Sequence, residues 1–340
     1  MRLARALGAA AAIALANTAQ AQVPAPVPVK VMVVSMFGLE GDVWLSKREM
    51  KQTVAVPGLS PDYPAVHCGA DAVCQVTTGM GYANASASIA ALVYSNQFDL
   101  RHTYWLIAGV AGMNPHQGTL GSVAWARYLV DGGLQWELDA REAPRDWPSG
   151  YLGINAKRPG EKPPLDYHTE VFQLSEPLLQ RALALSKAAT LSDSPAAQQA
   201  RAAYPAPANQ PPSVLQCDTV SSDTWTSGTR LGERSEVWTR LLTEGHGVQC
   251  TAQQEDNATF EVLKRATAAH LADDRRVMVL RAGSDFDRPP PGGSDDKNLL
   301  DYQAQGGFAP AIANLFIAGN PVVTDIVTNW TAWEQAVPAN

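Results

Sequence analysis

The chain alternates short, continuous apolar runs with longer segments in which small or amphipathic residues dominate. Continuous runs rich in β-branched residues predict buried strands, and the longer segments predict helices. Strands are expected at 29–35, 72–77, 102–107, 120–129 and 276–280. Helices are expected at 82–96, 172–189, 232–244, 255–271 and 309–330, the last bent or interrupted at Pro321. Strands that alternate with helices, with glycine turns at strand ends, indicate an α/β architecture.

Two stretches in the middle of the chain are predicted to be loops. Residues 143–164 are rich in Pro and Gly, and residues 192–212 are rich in Ala, Pro and Gln. The chain shows no repeat period. We therefore expect one domain over residues 22–340 with an elaborated middle, rather than two domains.

The first 21 residues have the features of an export signal. Arg2 and Arg5 precede an apolar run at 6–16, and Ala19-Gln20-Ala21 forms a small-residue cleavage site. The apolar run is shorter than the roughly 18 residues that a spanning helix needs. The later apolar stretch at 315–327 is interrupted by Gly, Asn, Pro and Asp. We expect a mature protein that is periplasmic or secreted and that has no membrane span.

Composition excludes several classes of protein. Of the 340 residues, 46% are hydrophobic and 17% are charged, a balance unlike that of a disordered chain, a collagen or a coiled coil. The formal net charge is −7, and Lys and Arg are not clustered. Because nucleic-acid binding needs clustered cations to neutralise phosphates, no nucleic-acid partner is expected.

The four cysteines fit an oxidising compartment. Cys68 and Cys74 are near neighbours that can form a disulfide and close a short loop, in which case Cys217 would pair with Cys250. Three connectivities are open on the sequence alone. A zinc site is the alternative, but no CxxC or HxxxH spacing supports it, and two structural disulfides are predicted.

Candidate chemistry lies at the predicted carboxyl ends of strands, where ligands bind in open α/β sheets. These positions are Glu40, the Gly79-Met80-Gly81 turn, the turn at 109–112 that begins with Gly109, and Ser284-Asp285. Glycine lets a ligand approach the backbone, although any one such turn, taken singly, is more often a tight turn without function. Trp225 and Phe286 are candidates to stack on a flat ligand, although aromatic residues are more often part of the core.

Other site types find no support. The sequence lacks GxSxG and GxxxxGK[ST], and the glycine turn at 79–81 continues to Asn84 rather than to a third glycine. The six histidines are scattered. No metal and no organic cofactor is therefore expected.

Five segments in a fixed order resemble the nucleoside phosphorylase/nucleosidase superfamily, in which a strand and an acid precede TGxGxxNA, GxAG, E-M-E-A-T and R-x-x-S-D. Here they read Val29-Lys-Val-Met-Val-Val34 with Glu40, Thr78-Gly-Met-Gly-Tyr-Ala-Asn-Ala-Ser86, Ile107-Ala-Gly-Val-Ala-Gly112, Glu255-Asp-Asn-Ala-Thr259 and Arg281-Ala-Gly-Ser-Asp285. The Met36-Phe37…Glu40…Trp44 opening and the Asp223-Thr-Trp-Thr-Ser-Gly228 segment are most similar to an exported branch called purine nucleoside permeases. The resemblance implies a three-layer nucleoside-phosphorylase-like domain with a central mixed sheet and flanking helices. It also implies a purine nucleoside as the ligand and a homo-oligomer as an assembly.

The resemblance also implies roles for single residues. Asp285 matches the acid that bonds or protonates purine N7, and Ser284 would orient it. Glu40 would deprotonate a water, although an ordinary turn glutamate is an equal alternative. Asn257 stands where the family has a ribose-binding glutamate, so Glu255 or Asp256 would supply the carboxylate instead.

The choice between hydrolysis and phosphorolysis depends on cations. Phosphate binding normally takes several of them, most often arginines. At the two positions where the phosphorylase pattern places arginines, this chain reads Phe37-Gly-Leu-Glu40 and Trp105-Leu-Ile-Ala108, without a cation. Arg101, Arg127 or Arg281 can still reach the site from elsewhere in the chain. The sequence favours hydrolysis of the N-glycosidic bond. Its alternatives are a non-catalytic nucleoside-binding component of uptake and a scaffold that has lost activity.

Overall fold

The computed structural model describes residues 25–338, so the predicted export signal lies outside the described residues. In chain order the strands are β1 (Val27–Pro28), β2 (Val31–Ser35), β3 (Gln52–Ala55), β4 (Ala65–Cys68), β5 (Val73–Thr77), β6 (Phe98–Asp99), β7 (Tyr104–Met113), β8 (Val123–Trp125), β9 (Tyr128–Asp131), β10 (Gln135–Glu137), β11 (Tyr151–Gly153), β12 (Val171–Gln173), β13 (Val214–Gln216), β14 (Asp218–Ser221), β15 (Gln249–Gln253) and β16 (Val277–Phe286). The α-helices are α1 (Gly38–Leu45), α2 (Tyr82–Tyr94), α3 (Glu176–Ser186), α4 (Pro195–Arg201), α5 (Thr229–Leu242), α6 (Asp256–Ala268), α7 (Asp295–Leu300), α8 (Phe308–Thr328) and α9 (Trp330–Gln335). Short 3-10 helices lie at Asp274–Arg276 and Tyr302–Gln305.

A large mixed sheet forms the centre of the fold, as predicted. Its main path runs β12-β9-β14-β15-β7-β2-β5-β4-β3, and β16 pairs with β7 and with β8. The central pairs β5–β2, β2–β7 and β7–β16 are parallel, whereas β15–β7, β5–β4 and β4–β3 are antiparallel. The parallel centre brings the carboxyl ends of β2, β5 and β16 to one edge, where polar residues follow the strands.

Helices cover both faces of the sheet and give three layers. One apolar core contains Ile89 of α2 and Leu263 of α6. The other contains Trp44 of α1, Leu178 of α3 and Leu315 of α8. All five side chains are almost completely buried, and each such burial stabilises the fold by about 1.5–3 kcal/mol.

Two strands are longer than the sequence predicts. β7 continues through the expected turn at 109–112, and β16 continues through the expected turn at 281–285, so both predicted turns are wrong. The glycines serve close packing inside strands instead of turning the chain. A Cβ on Gly109 would collide with Met36 Cε, and one on Gly283 would lie 2.9 Å from Met113 Cβ.

The middle of the chain contains more short elements than predicted. The expected strand at 120–129 is two strands, β8 and β9, and the expected helix at 172–189 begins as strand β12. Helix α3 starts at Glu176 with Pro177 in its first turn, a position where proline is tolerated because the N–H is not needed. The predicted loops contain β11 and α4. Helix α4 has Pro195 at its start, and the Ser194 hydroxyl accepts a hydrogen bond from the Ala197 N–H at 3.0 Å.

Helix α8 runs from Phe308 to Thr328 and continues through Pro321, so of the two expectations, a bend or an interruption, the interruption at Pro321 is wrong. Among the described residues, one helix is long enough and apolar enough to cross a membrane, judged by length and composition alone, and this helix is α8. On those criteria the expectation that 315–327 is too interrupted to span does not hold. Its Leu315, Val322 and Ile326 are fully buried in the core between the sheet and α3, as in a core helix of a globular domain.

Two disulfides bind pairs of neighbouring strands. Cys68 of β4 lies opposite Cys74 of β5 in register and is bonded to it, with the two Cα atoms 4.1 Å apart. Cys217, directly before β14, is bonded to Cys250 of β15, with the Cα atoms 5.5 Å apart. Of the three open connectivities, the structure has the one in which Cys68 closes the short loop.

Candidate functional site

Strand β7 changes its neighbour in the middle of the sheet. Its first half pairs with β2 as far as Ile107, and its end pairs with β15 from Gly112 onward. Between these two pairings, the side chains of two residues make hydrogen bonds to the backbone of Val110. The Val110 N–H donates to Glu40 Oε1 at 2.6 Å, and its carbonyl accepts from Arg281 Nη1 at 3.1 Å. The gap between β2 and β15 is therefore where these two ionisable side chains meet.

Glu40 lies in the first turn of α1, which begins shortly after β2 ends, and only 1% of its surface is exposed. Its Oε2 accepts the Met36 N–H at 2.8 Å, so both carboxylate oxygens have a backbone donor. Burial raises the pKa of Glu40 to about 7, and the Arg281 charge opposes part of that rise. A carboxyl group that is half-ionised near neutral pH can accept a proton as a general base.

Arg281 is a fully buried cation in β16, directly after the apolar residues 277–280. Its Nη2 donates to Asp256 Oδ1 at 2.6 Å and to Glu255 Oε2 and Gln253 Oε1 at 3.2 Å each. Its Nε donates to Asp256 Oδ2 at 3.2 Å. Burial raises the pKa values of Glu255 and Asp256, and the guanidinium opposes that rise. Three carboxyl groups, counting Glu40, thus share one guanidinium, so the cluster has no spare positive charge.

The loop between β5 and α2 lies against this cluster. Gly79 and Gly81 have φ angles of 86° and 87°, a conformation that L side chains rarely adopt. The Gly81 N–H donates to Glu255 Oε1 at 3.0 Å, which ties the loop to the carboxylate that Arg281 holds. Met80 lies between the two glycines and is 59% exposed.

Helix α2 is capped by an acid from another segment. The Tyr82 N–H, at the first position of the helix, donates to Asp223 Oδ1 at 2.8 Å. The Tyr82 hydroxyl donates to Asp131 Oδ2 at 2.8 Å and to the Ser221 carbonyl at 3.0 Å. Burial raises the pKa values of both Tyr82 and Asp131. These bonds fix the start of α2 against β9 and β14.

Asp285 lies near the end of β16, opposite Gly112 of β7. The Ser284 hydroxyl donates to Asp285 Oδ1 at 2.7 Å, and within residues 25–338 Oδ2 accepts no hydrogen bond. Burial raises the pKa of Asp285 to about 6, with Ser284 lowering it and Asp287 raising it. Oδ2 lies 3.6 Å from the point where a Cβ on Gly112 would stand. A carboxyl group with this pKa can donate a proton at mildly acidic pH.

A buried ion-pair network lies next to Asp285. Arg288 donates to both oxygens of Asp287, at 2.7 and 3.1 Å, and to Glu236 Oε1 at 2.8 Å. Glu236 Oε1 also lies 3.1 Å from His116 Nδ1. The guanidinium charge thereby balances Asp287, whose charge would otherwise act fully on Asp285.

The two aromatic candidates differ in accessibility. Phe286 is 1% exposed and packs on Tyr204 with ring centroids 4.1 Å apart, so its ring belongs to the core. Trp225 is 49% exposed and lies against Tyr302 with centroids 5.0 Å apart. Trp225 therefore has ring surface available for a ligand, and Phe286 does not.

A family model described as purine nucleoside permease matches residues 28–338. The chain belongs to the purine nucleoside permease family.

Curated relatives of this purine nucleoside permease family member bear related names. A purine nucleoside permease of Candida albicans is 39% identical over 304 residues, which cover 88% of this chain and 75% of the relative. A probable purine nucleoside permease of Schizosaccharomyces pombe is 38% identical over 317 residues, covering 89% of this chain and 90% of the relative. The sequence-based assignment to this family is confirmed.

Comparison with solved structures shows the fold that this chain shares with them. A 5'-methylthioadenosine/S-adenosylhomocysteine nucleosidase from Helicobacter pylori superimposes with a TM-score of 0.53 at 12% identity, over 87% of this chain and 98% of that one. Futalosine hydrolase of Helicobacter pylori gives a TM-score of 0.51 at 12% identity, over 86% and 97%. At this identity the likeness shows the fold alone, and it confirms the predicted nucleoside-phosphorylase-like architecture.

Five of the twelve predicted site residues lie along one connected set of contacts. Glu40, Gly109, Glu255, Asp256 and Gly81 surround Arg281 or its partners. Ser284 and Asp285 lie farther along β16, and Met80, Gly79 and Trp225 lie on the loops described above. Asn257 is set apart, since its Oδ1 accepts from Ser221 Oγ at 2.9 Å and its Nδ2 donates to the Thr169 carbonyl at 2.9 Å.

Of the three arginines that the sequence left open, Arg281 reaches the gap. Arg101 pairs with Asp99 on the surface, and Arg127 donates to the carbonyl of His246. Within residues 25–338 no group of three His, Cys, Asp or Glu side chains is arranged to hold a metal ion.

Sequence reasoning missed several residues of the site. Gln253 Oε1 accepts from the N–H groups of Glu255 and Asp256 and from Arg281, and Asp223 caps α2. Arg281 was expected in a turn motif and as one of three arginines that can reach the site, but not as the partner of Glu255 and Asp256. A signal for it existed, because Arg281 directly follows the apolar residues 277–280, and its charge must be paired if that buried strand continues through it.

Proposed function

We propose that this permease family member binds a purine nucleoside and cleaves its N-glycosidic bond by hydrolysis. The observation that carries the proposal is the pair of buried carboxyl groups, Glu40 and Asp285, with pKa values of about 7 and about 6. Glu40 lies at Gly109 and Asp285 at Gly112 on the same strand. Gly109 and Gly112 are three residues apart, which is roughly 10 Å along β7.

Asp285 acts on the base. It donates its proton to N7 as the bond between C1′ and N9 breaks, and the bonding electrons leave with the neutral purine. The Ser284 hydroxyl donates a hydrogen bond to Asp285 Oδ1, so Oδ2 is the oxygen that faces the ligand. Protonation is needed because an anionic purine is a poor leaving group. The ribosyl fragment develops oxocarbenium character in this step.

Glu40 acts on the water. Water adds to C1′, its proton passes to the Glu40 carboxylate, and free ribose and free base are the products. The backbone donors at Met36 and Val110 fix the carboxylate, and burial makes it basic enough to work near neutral pH.

The charge of the cluster supports water rather than phosphate as the nucleophile. Arg281 is already bonded to Asp256, Glu255, Gln253 and the Val110 carbonyl. A phosphate here would meet two or three carboxylates, and the guanidinium that could bind it is already paired with two of them. Phosphorolysis therefore has no electrostatic support at this point in the fold.

We further propose that the protein acts in an oxidising compartment outside the cytoplasm. The two disulfides support this, because such bonds persist where thiols are not kept reduced. The export signal expected from the sequence agrees with it.

A second candidate is a nucleoside-binding component of uptake without catalysis. It is favoured by the names of the relatives, which are permeases. The two candidates differ in turnover and agree in binding, so one set of variants separates them.

The experiment compares wild-type protein with Glu40→Gln, Asp285→Asn and the control Asp42→Asn, an exposed acid on the same helix as Glu40. Inosine and adenosine are the substrates, free base is measured by chromatography, and affinity is measured by calorimetry. We expect base release by wild type and the control, and losses of about 10²–10⁴-fold in each site variant with binding retained. Binding without release by wild-type protein would reject catalysis in favour of the uptake candidate.

A further inference from the structure

The segment of this chain that matches the family's ribose motif has no free carboxylate. Both oxygens of Asp256 are bonded to Arg281. Glu255 Oε1 accepts the Gly81 N–H, and Oε2 accepts from Arg281 and from the Gln254 N–H. Asn257 uses its amide on Ser221 and Thr169 and is 2% exposed. Every carboxylate oxygen of this segment thus already has a donor, and the side chains of Glu255 and Asp256 are buried.

Asp223 is a carboxylate at the edge of the same cluster. Its Oδ1 lies 3.0 Å from the point where a Cβ on Gly81 would stand. Gly81 in turn bonds Glu255, and Glu255 bonds Arg281, which meets Glu40 at Val110. A short chain of contacts thus connects Asp223 to the proposed water-activating group.

The two oxygens of Asp223 differ in their bonding. Oδ1 accepts the Tyr82 N–H at 2.8 Å, whereas within residues 25–338 Oδ2 accepts no hydrogen bond. The backbone is held as well, because Gln254 Nε2 donates to the Asp223 carbonyl at 2.9 Å. The side chain is exposed, so a ligand can reach it directly. Asp223 is therefore a fixed acceptor with one oxygen free.

We propose that Asp223 accepts hydrogen bonds from the vicinal hydroxyls of the ribosyl group and so selects ribonucleosides over deoxynucleosides. This inference rests on the proposed nucleoside ligand. A carboxylate suits a diol because it accepts hydrogen bonds and has no proton to donate against the hydroxyl protons. Gly81 leaves space beside Oδ1 at the same position.

The test compares Asp223→Asn with wild-type protein on inosine, 2′-deoxyinosine and 3′-deoxyinosine. Asparagine keeps an oxygen for the Tyr82 N–H and replaces the free acceptor with a donor. We expect kcat/KM for inosine to fall by about 10- to 100-fold, the range for hydrogen bonds to a charged group. For at least one of the two deoxynucleosides, kcat/KM should change by less than about threefold. The ratio of kcat/KM for inosine to kcat/KM for that deoxynucleoside should therefore decrease.

Asp295→Asn is the matched control. Asp295 is also exposed, and its Oδ1 accepts the Thr229 N–H at 2.8 Å, the first N–H of α5, which also follows a glycine of positive φ. It should leave the ratio of inosine to deoxyinosine unchanged. An unchanged ratio in Asp223→Asn, or an equal change in Asp295→Asn, would overturn the inference.

The proposed function can fail separately. If wild-type protein releases no base from any nucleoside, the same three ligands and the same two variants are compared by dissociation constant. A smaller difference between the dissociation constants for inosine and the deoxynucleosides in Asp223→Asn, but not in Asp295→Asn, would then support the role of Asp223 in a binding protein. Equal affinities of wild-type protein for inosine and both deoxynucleosides would overturn it.

Discussion

Glu40 and Arg281 bond the two polar backbone groups of a single residue, Val110, one at its N–H and one at its carbonyl. Both side chains therefore occupy the place where a strand would otherwise pair with β7, between its contacts with β2 and β15. An acid and a base that replace a strand in this way are held by backbone geometry as well as by each other. Buried pairs held like this are costly to rearrange.

Gly109 leaves the space that this arrangement needs. A Cβ at Gly109 would lie 2.6 Å from Arg281 Nη1 and 2.7 Å from Glu40 Oε1. We expect Gly109→Ala to lower the free energy of unfolding by about 1–3 kcal/mol through overpacking. We also expect base release to fall about 100-fold, because the carboxylate is displaced.

Gly112→Ala on the same strand is the control, since its nearest neighbour would be at 3.6 Å, an ordinary contact. It should change the free energy of unfolding by less than about 1 kcal/mol in urea denaturation. Equal stability of the two variants would contradict the packing described here.

Glu40 makes stability depend on pH in a specific direction. Its pKa is about 7 in the folded protein against 4.5 in the unfolded chain, so the folded state binds the proton more tightly. The contribution is fully present below pH 4.5 and is lost as the pH rises through 7, a loss of roughly 3 kcal/mol. We expect this part of the decline to be absent in Glu40→Gln, measured by urea denaturation at several pH values. A decline of the same size in wild type and variant would contradict the burial of an ionisable Glu40.

Asp285 and Glu40 together predict a pH profile. Catalysis needs Asp285 protonated and Glu40 ionised, while their pKa values are about 6 and about 7. The profile of kcat/KM should be bell-shaped with a maximum at about pH 6.5, falling about tenfold per unit on either side. In Asp285→Asn the residual activity should keep the acidic limb and lose the alkaline limb. An alkaline limb that survives this substitution would assign the acid to another group.

The sequence predicted the layers of the fold because their apolar patterns are strong. Val31–Ser35 and Val73–Thr77 are rich in apolar residues, and they are the strands β2 and β5. The glycines at 109–112 and the polar residues at 281–285 were misjudged as turns. Local preference favours turns there, but packing on both sides keeps the backbone extended.

The candidate site was predicted by motif position more than by contact. Glu40 and Asp285 were named because they match a pattern, whereas their burial and pKa values depend on tertiary packing. Arg281 was named as one of three arginines that can reach the site, but its bonds to Asp256, Glu255 and Gln253 depend on tertiary packing. That Asn257 is bonded to Ser221 and Thr169 could not be predicted, since both partners are distant in sequence. Asp223 escaped notice for the same reason.

The measurement that tests the central claim most directly uses purified protein and inosine in buffer with and without inorganic phosphate. Free hypoxanthine, ribose and ribose 1-phosphate are quantified by chromatography. The account predicts that hypoxanthine and ribose form at the same rate in both buffers and that no ribose 1-phosphate appears. Hypoxanthine that appears only with phosphate, together with ribose 1-phosphate, would contradict it.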